Sequence, residues 1–300
     1  MNPSQNDTTP DQDFILGQAG ELPLHVFQAQ GPRPEQQDNL CVFVLKNPVS
    51  EQRMAALFKI MAEATNAPDL ASMNGGTTVN LVAVSRNRII AANLGDSLTT
   101  LFTKKAAGSD LEAVSLSKLH ITSDKEEAER LDPLHDPDNL FVNRSRIVRV
   151  QGERQSSLAM TRALGDHQFA PMVIQEPTIF THDINTDEFA NAELAVYTDG
   201  VTDTRQYVHY DLKFDTEMLA QIAQSVQSQS KDSMPIATVL AIIAMNAGLA
   251  DNAAAISVDL KALDENTHLL IGVFDGHAPE GRRVTELAIQ ALESQPDLTM

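Results

Sequence analysis

The stretch Leu269 to His277, LLIGVFDGH, sets a carboxylate, a glycine and an imidazole at the tip of an apolar run. Taken alone, Asp275-Gly276 is an ordinary turn dipeptide. The same arrangement recurs, however: Leu194 to Thr198 runs into Asp199-Gly200, Asp251-Asn252 opens AAISVDL, and Asp38-Asn39 opens LCVFVL. Carboxylates at the ends of packed strands can converge on one rim, where their mutual repulsion calls for bound cations. Cys41 is the only cysteine, and no histidines stand in HxxxH or HExxH spacing, so the ligands would be oxygens. Oxygen ligation favours Mg²⁺ or Mn²⁺ over Zn²⁺. A glycine after an aspartate lets its carbonyl serve as a further ligand. Two such ions about 3.5 to 4 Å apart can share a hydroxide and hold a phosphoryl group for hydrolysis. Arg33 would then grip phosphate oxygens, and His277 would protonate the leaving group. Outside that setting, Arg33 is an ordinary surface arginine, Asp96 in Gly95-Asp96-Ser97 a turn carboxylate, and Asp124 a helix N-cap.

Positioning these groups requires strands backed by helices. Residues 22 to 30 and 40 to 45 read as two strands of a hairpin around GPRPEQQDN, the loop that carries Arg33 and Asp38. Met54, Leu57, Phe58 and Met61 form one apolar stripe of a helix over 51 to 64, with Ser50 as its N-cap. Met73 to Phe102 holds two apolar strands joined at Ser85 to Asn87. Residues 105 to 157 are polar and flap-like, and include a short charged helix behind Asp124. Two helices follow Asp203, one striped by Leu219, Ile222, Ala223 and Val226, the other apolar from Pro235 to Ala247 and stopped by Gly248. A last helix, Arg282 to Glu293, carries Val284, Leu287, Ala288, Ala291 and Leu292, and Pro296 stops it. The run Leu269 to Phe274 is too apolar for a solvated tail, so it is expected as an interior strand beside Ala253 to Leu260 or close to it.

With 42% hydrophobic residues in 300, the chain can bury a large core, which argues against a string of small domains. The formal net charge of −19 repels nucleic acid and anionic membranes while favouring divalent cations. Residues 1 to 14 read as a disordered leader with neither a Sec signal nor a transit pattern. No apolar run reaches the length of a membrane span, so a cytoplasmic location is expected, with delivery elsewhere by a non-Sec route left open.

The order and spacing of GPRPEQQDN, NGGTT, AANLGDS, TSD, LAMTRALGD, YTDG, DNAAAISV and VFDGH resemble the metal-dependent protein serine/threonine phosphatases of the 2C (PPM) type, over nearly the whole chain from about residue 22. The resemblance implies an α+β fold in one domain over 15 to 300: two packed antiparallel β-sheets flanked by helices on both outer faces, with metals at one end. It implies that Asp275 bridges two ions with Gly276 as carbonyl ligand, that Asp199 and Asp251 complete the first, and that Asp38 lies close by. Asp124 with Asp199 matches a third, weaker ion position; Arg33 matches the phosphate-binding arginine and His277 the general acid. The expected activity is Mg²⁺/Mn²⁺-dependent hydrolysis of phosphoserine and phosphothreonine in phosphoproteins by a monomer. A phosphatase-like binding module without catalysis and a phosphatase of small metabolites are the alternatives.

The chain departs from the family pattern in one large respect. The DGH strand and its helix usually come straight after the hairpin that carries Arg33 and Asp38, whereas here Leu45 leads straight to the Ser50 helix and the DGH unit comes last. Leu98 also stands where arginine is common after Gly-Asp-Ser, and Ala278-Pro279 replaces the usual glycines after DGH.

Overall fold

The computed structural model describes residues 14–18, 22–70, 72–104, 110–202, 216–228, 234–249 and 251–299. Residues 1–13 of the expected leader and residues 203–215 lie outside the described residues, and Phe14 already begins the first strand. Two antiparallel sheets form the centre. The first contains β1 (Phe14–Gln18), β2 (Leu24–Ala29), β6 (Leu98–Lys104), β7 (Leu111–Ser115), β13 (Ala192–Tyr197) and β14 (Ala253–Asp259), in the order β1-β2-β14-β13-β6-β7. The second contains β3 (Asn39–Leu45), β4 (Gly76–Ser85), β5 (Arg88–Leu94), β12 (Thr178–Asp183), β15 (His268–His277) and β16 (Leu298–Thr299). Its order is β12-β5-β4-β15-β3-β16, with the short β11 (Leu164–Gly165) also paired to β4.

Inward-facing residues of both sheets interdigitate: Val82, Ile89 and Ile271 of one meet Leu101, Val196 and Ile256 of the other. The outer faces are covered by helices, as the sequence pattern demands. On the second sheet, α1 (Glu51–Thr65) lays Met54, Leu57, Phe58 and Met61 against Phe43, Leu81 and Phe274. Ser50 caps it through its hydroxyl, which accepts from the Arg53 amide at 3.2 Å. Beside it, α6 (Gly281–Glu293) buries Val284, Ala288 and Leu292 in the same layer. On the first sheet, α4 (Thr216–Ser228) and α5 (Ile236–Ala247) pack Leu219, Ala223, Ile236 and Leu240 onto Phe27, Tyr197 and Ala255. The four-layer arrangement expected from the resemblance is therefore the observed one. Among the described residues, no helix is long and apolar enough to cross a membrane.

Strand partners differ from the sequence expectation in two places. β2 and β3 are not a hairpin: β2 pairs with β1 and β14, whereas β3 pairs with β15 and β16 in the opposite sheet. The loop carrying Arg33 and Asp38 crosses the end of the sandwich instead of folding back, and this crossing places both residues at the rim. β15 is interior, as expected, but its neighbours are β3 and β4, not β14, which lies in the facing sheet. The link from β14 to β15, through a short 3-10 helix at Leu260–Ala262, passes between sheets.

This placement accounts for the transposed sequence order. β15 sits between the strand that ends before α1 and the strand that begins after it, which is the spatial slot a strand following β3 would fill. The chain reaches that slot last instead of second, and the layers are unchanged.

The flap-like region is also more ordered than its polarity suggests. β7 belongs to the first sheet, α2 (Lys125–Leu131) follows, and β8 (Leu140–Asn143), β9 (Arg146–Gln151) and β10 (Arg154–Leu158) make a separate antiparallel sheet. It has its own small core of Leu131, Leu140, Ile147, Leu158, Phe169 and Met172. The remaining short helix, α3 (Thr186–Phe189), lies between β12 and β13.

Candidate metal centre and its flanks

The rim is built from chain segments that either end or cross there. Asp38 precedes β3, Asp96 lies in the turn between β5 and β6, Asp199 follows β13, Asp251 precedes β14, and Asp275 stands near the end of β15. Asp96, Asp199 and Asp275 each offer a carboxylate oxygen within 4.8 Å of the others. Asp38 is 1% exposed; its Oδ2 accepts from the Thr198 hydroxyl at 2.9 Å, and its buried Oδ1 has no hydrogen-bond partner among the described residues.

Electrostatics record the crowding. Burial, together with the charges of Asp199 and Asp251, pushes the Asp38 carboxyl up to about 8 against the opposing Thr198 hydrogen bond. Asp275 is likewise raised well above the carboxylate range, by burial first and then by Asp38, Asp199, Asp96 and Asp251. The four aspartates read from the sequence thus share one field, and Asp96 joins them. Such a set is unfavourable without a cation, and a buried carboxylate oxygen lacking a donor is what an oxygen-seeking divalent ion would satisfy. The residues therefore fit Mg²⁺ or Mn²⁺. Gly276 is needed for space as well: a Cβ there would lie 2.7 Å from the Gln37 carbonyl oxygen.

The two non-carboxylate candidates flank this cluster. Arg33 donates from Nε to Asp251 Oδ1 at 2.6 Å and from Nη2 to Oδ2, and the charges of Asp275 and Asp199 also act on it. His277 Nε2 meets Asp166 Oδ2 at 2.5 Å. Burial opposes a charge on His277, but the Asp166 carboxylate, with help from Asp96, outweighs it and raises the imidazole pKa.

Two contributors were not read as site residues from the sequence. Asp96 suits a turn, although its Gly-Asp-Ser setting follows an apolar strand much as the other acidic tips do. Asp166 had a weaker signal. It is 1% exposed and takes a left-handed φ of 50° after Gly165, so its carboxylate turns back under β4. Gly76 permits this, since a Cβ at that position would lie 2.1 Å from Asp166 Oδ2.

Asp124, expected to help hold a third ion, is placed differently from the rest. Its Oδ1 accepts from the Glu126 and Glu127 amides at 3.1 Å each, capping α2, and lies 3.1 Å from Lys118 Nζ. These bonds hold its pKa below the usual value despite burial that works to raise it. The carboxylate grouped with Asp199 and Asp275 is Asp96.

A four-layer sandwich with an acidic rim is the architecture of a phosphatase class, and comparison with known proteins agrees. The sequence profile described as Protein phosphatase 2C matches residues 35–253, and the chain belongs to that family. The match stops at the start of β14, so the transposed DGH unit lies beyond it and finds its place only in the fold. Among relatives, "Protein phosphatase 2C 16" of Arabidopsis thaliana is 27% identical over 64% of this chain and 36% of its own length. "Probable protein phosphatase 2C 8" of Oryza sativa subsp. japonica is 28% identical over 72% of this chain and 51% of its own. The chain thus spans between about a third and a half of the length of these relatives. A crystal structure of serine-threonine phosphatase 2C from Toxoplasma gondii shares the fold, with a TM-score of 0.50 at 14% identity over 82% of this chain and 98% of that one.

Proposed function

We propose that this chain hydrolyses phosphoserine and phosphothreonine esters in phosphoproteins, using Mg²⁺ or Mn²⁺ held by the acidic rim. The observation that carries the proposal is the meeting of Asp96, Asp199 and Asp275 within 4.8 Å, in the same field as Asp38 and Asp251. Asp38, Asp199, Asp251 and Asp275 would hold two ions, with the Gly276 carbonyl as a further ligand, and we assign the place beside Asp199 to Asp96 rather than Asp124. Ions bound there would supply a water of lowered pKa and neutralise phosphoryl charge.

The protein's own groups do the remaining work. Arg33 binds phosphate oxygens, using Nη1 while Nε and Nη2 stay directed at Asp251. Asp166 holds the His277 ring in place and favours its protonated form, so a proton is available for the departing seryl or threonyl oxygen. The enzyme acts as a cytoplasmic monomer on phosphoproteins, without nucleic acid or membrane as a partner; the net charge of −19 supports the latter exclusions.

The test is hydrolysis of a generic aryl phosphate with and without added Mn²⁺, followed by a panel of phosphopeptides. Metal-dependent release of phosphate from both substrates is expected. An inert protein that nevertheless binds Mn²⁺ would contradict the proposal.

A further inference from the structure

The charge of this protein is unevenly distributed. Against a net charge of −19, residues 140–162, the end of the flap and the segment just after it, contain five arginines and one glutamate. Two of those arginines are engaged locally: Arg146 donates to the Ser157 hydroxyl at 2.9 Å, and Arg162 to Glu127 at 2.9 Å. Arg149 and Arg154 line a cleft of about 630 Å³ between the β9–β10 hairpin and the loop before β4, together with Gln151, Asn74, His167 and Gln168. The walls are fixed. Arg149 donates from Nη1 to the Gln168 carbonyl, and Gln168 Nε2 donates to Asn74 Oδ1 at 3.0 Å. Arg154 is exposed at the mouth.

The cleft adjoins the reaction centre through covalent neighbours. His167 follows Asp166, whose carboxylate bonds His277, and the Asn74 carbonyl accepts from the Glu280 amide at 3.2 Å, just beyond the DGH tip. An extended chain advances about 3.3 to 3.6 Å per residue, so a peptide with its phosphate at the rim reaches this cleft within a few positions.

We propose that this cleft binds anionic side chains close to the phosphorylated residue, so that the chain prefers phosphoproteins whose phosphosite lies in an acidic or multiply phosphorylated stretch. The inference rests on the proposed phosphatase function and specifies its substrate class. Arg154 presents a guanidinium fork suited to carboxylate and phosphate oxygens, and Arg149, whose own fork faces the Gln151 side-chain amide, adds a fixed positive charge to the wall behind it. The acidic remainder of the surface repels such a peptide elsewhere, which confines it to the flap side.

The test uses three phosphothreonine peptides that differ only in their flank: aspartate and glutamate, a second phosphoserine, or serine and glutamine. Each protein is judged by its own ratio of kcat/KM values, so differences in the chemical step cancel. The wild type should prefer each anionic flank by about fivefold to tenfold, the size expected from one or two partly exposed ion pairs, and added salt should erode the preference. Arg154→Glu should reduce the ratio to about twofold or less. Arg144→Glu makes the same charge change on the flap outside the cleft lining and should keep the wild-type ratio. If only the phosphoserine flank is favoured, the carboxylate arm of the proposal fails.

A fluorescein-labelled acidic peptide without phosphate, followed by anisotropy, probes the cleft independently of turnover. Equal turnover of all three peptides, with no binding of the labelled peptide, would overturn the inference and leave the phosphatase function standing. Binding of the labelled peptide that Arg154→Glu weakens, in a protein that turns over none of the substrates, would support the cleft and contradict the phosphatase function. Tighter binding of a single-stranded oligonucleotide than of the acidic peptide would overturn the choice of a protein ligand.

Discussion

Glu127 offers a sharp test of how the flap is held against the sandwich. Its carboxylate is fully buried and accepts from Arg162 Nε at 2.9 Å, Arg130 Nη2 at 2.8 Å and the Thr161 hydroxyl at 2.6 Å. Arg130 in turn donates to the Thr161 and Met172 carbonyls at 3.2 and 3.0 Å, and Arg162 to the Glu176 carbonyl at 2.8 Å. Burial works to raise the Glu127 pKa, but Arg162, Thr161 and Arg130 outweigh it and bring it from 4.5 to about 2. A carboxyl more acidic in the folded than in the unfolded chain stabilises the fold above its unfolded pKa and loses that contribution as pH falls towards the folded value. The shift corresponds to about 3 kcal/mol at neutral pH, falling to roughly half that by pH 3. Glu127→Gln preserves shape and a hydrogen-bond acceptor but leaves two arginines without their counter-charge, so it should cost about 3 kcal/mol at pH 7. Urea unfolding of wild type and variant at pH 7, 5, 4 and 3 measures the difference. A difference that is absent at pH 7, or that does not shrink between pH 4.5 and 3, would refute this account of the flap anchor.

Three further outcomes follow from the site. His277→Ala should slow hydrolysis of seryl phosphates far more than of aryl phosphates, whose leaving oxygen departs without a proton; equal losses on both would make His277 structural. Arg33→Ala should act mainly on KM in steady-state kinetics, by about tenfold, and a change confined to kcat would contradict its assignment to phosphate binding. Deleting residues 264–300 removes Asp275, His277 and the strand between β3 and β4, and should yield insoluble or unfolded protein; a soluble, folded truncation by circular dichroism and size-exclusion chromatography would contradict the placement of β15.

What the sequence revealed and what it concealed divide along the range of the interactions involved. The helix stripes of α1 and α6 were legible because burial of Met54, Phe58, Val284 and Ala288 repeats at the helical period. The acidic tips were legible because Asp38, Asp199, Asp251 and Asp275 each border an apolar strand. Strand partnership was not: β4 is buried along its whole length, and a run covered on both faces does not encode which strands lie beside it. The β2–β3 hairpin failed for a different reason: a loop of suitable length can either fold back or cross to the facing sheet, and the half-buried patterns of both strands suit either course. Asp166 was hidden because its role depends on a left-handed backbone turn and on the absence of a Cβ at Gly76, far away in the chain. Asp96 and Asp124 show the same limit. Both stand in short polar contexts that suit a cap or a ligand, and only tertiary packing puts Asp96 with Asp199 while Lys118 and the α2 amides take Asp124.

The central claim is that the converging carboxylates bind the ions on which turnover depends. Its most direct test is to strip the protein with EDTA, titrate Mn²⁺ by calorimetry, and assay aryl phosphate hydrolysis in the same samples, for wild type and Asp275→Asn. Binding and turnover of the wild type should rise together from zero, Mg²⁺ should substitute where Zn²⁺ does poorly, and Asp275→Asn should lose both signals. Activity that survives full chelation, or an Asp275→Asn variant that binds Mn²⁺ as the wild type does, would contradict it.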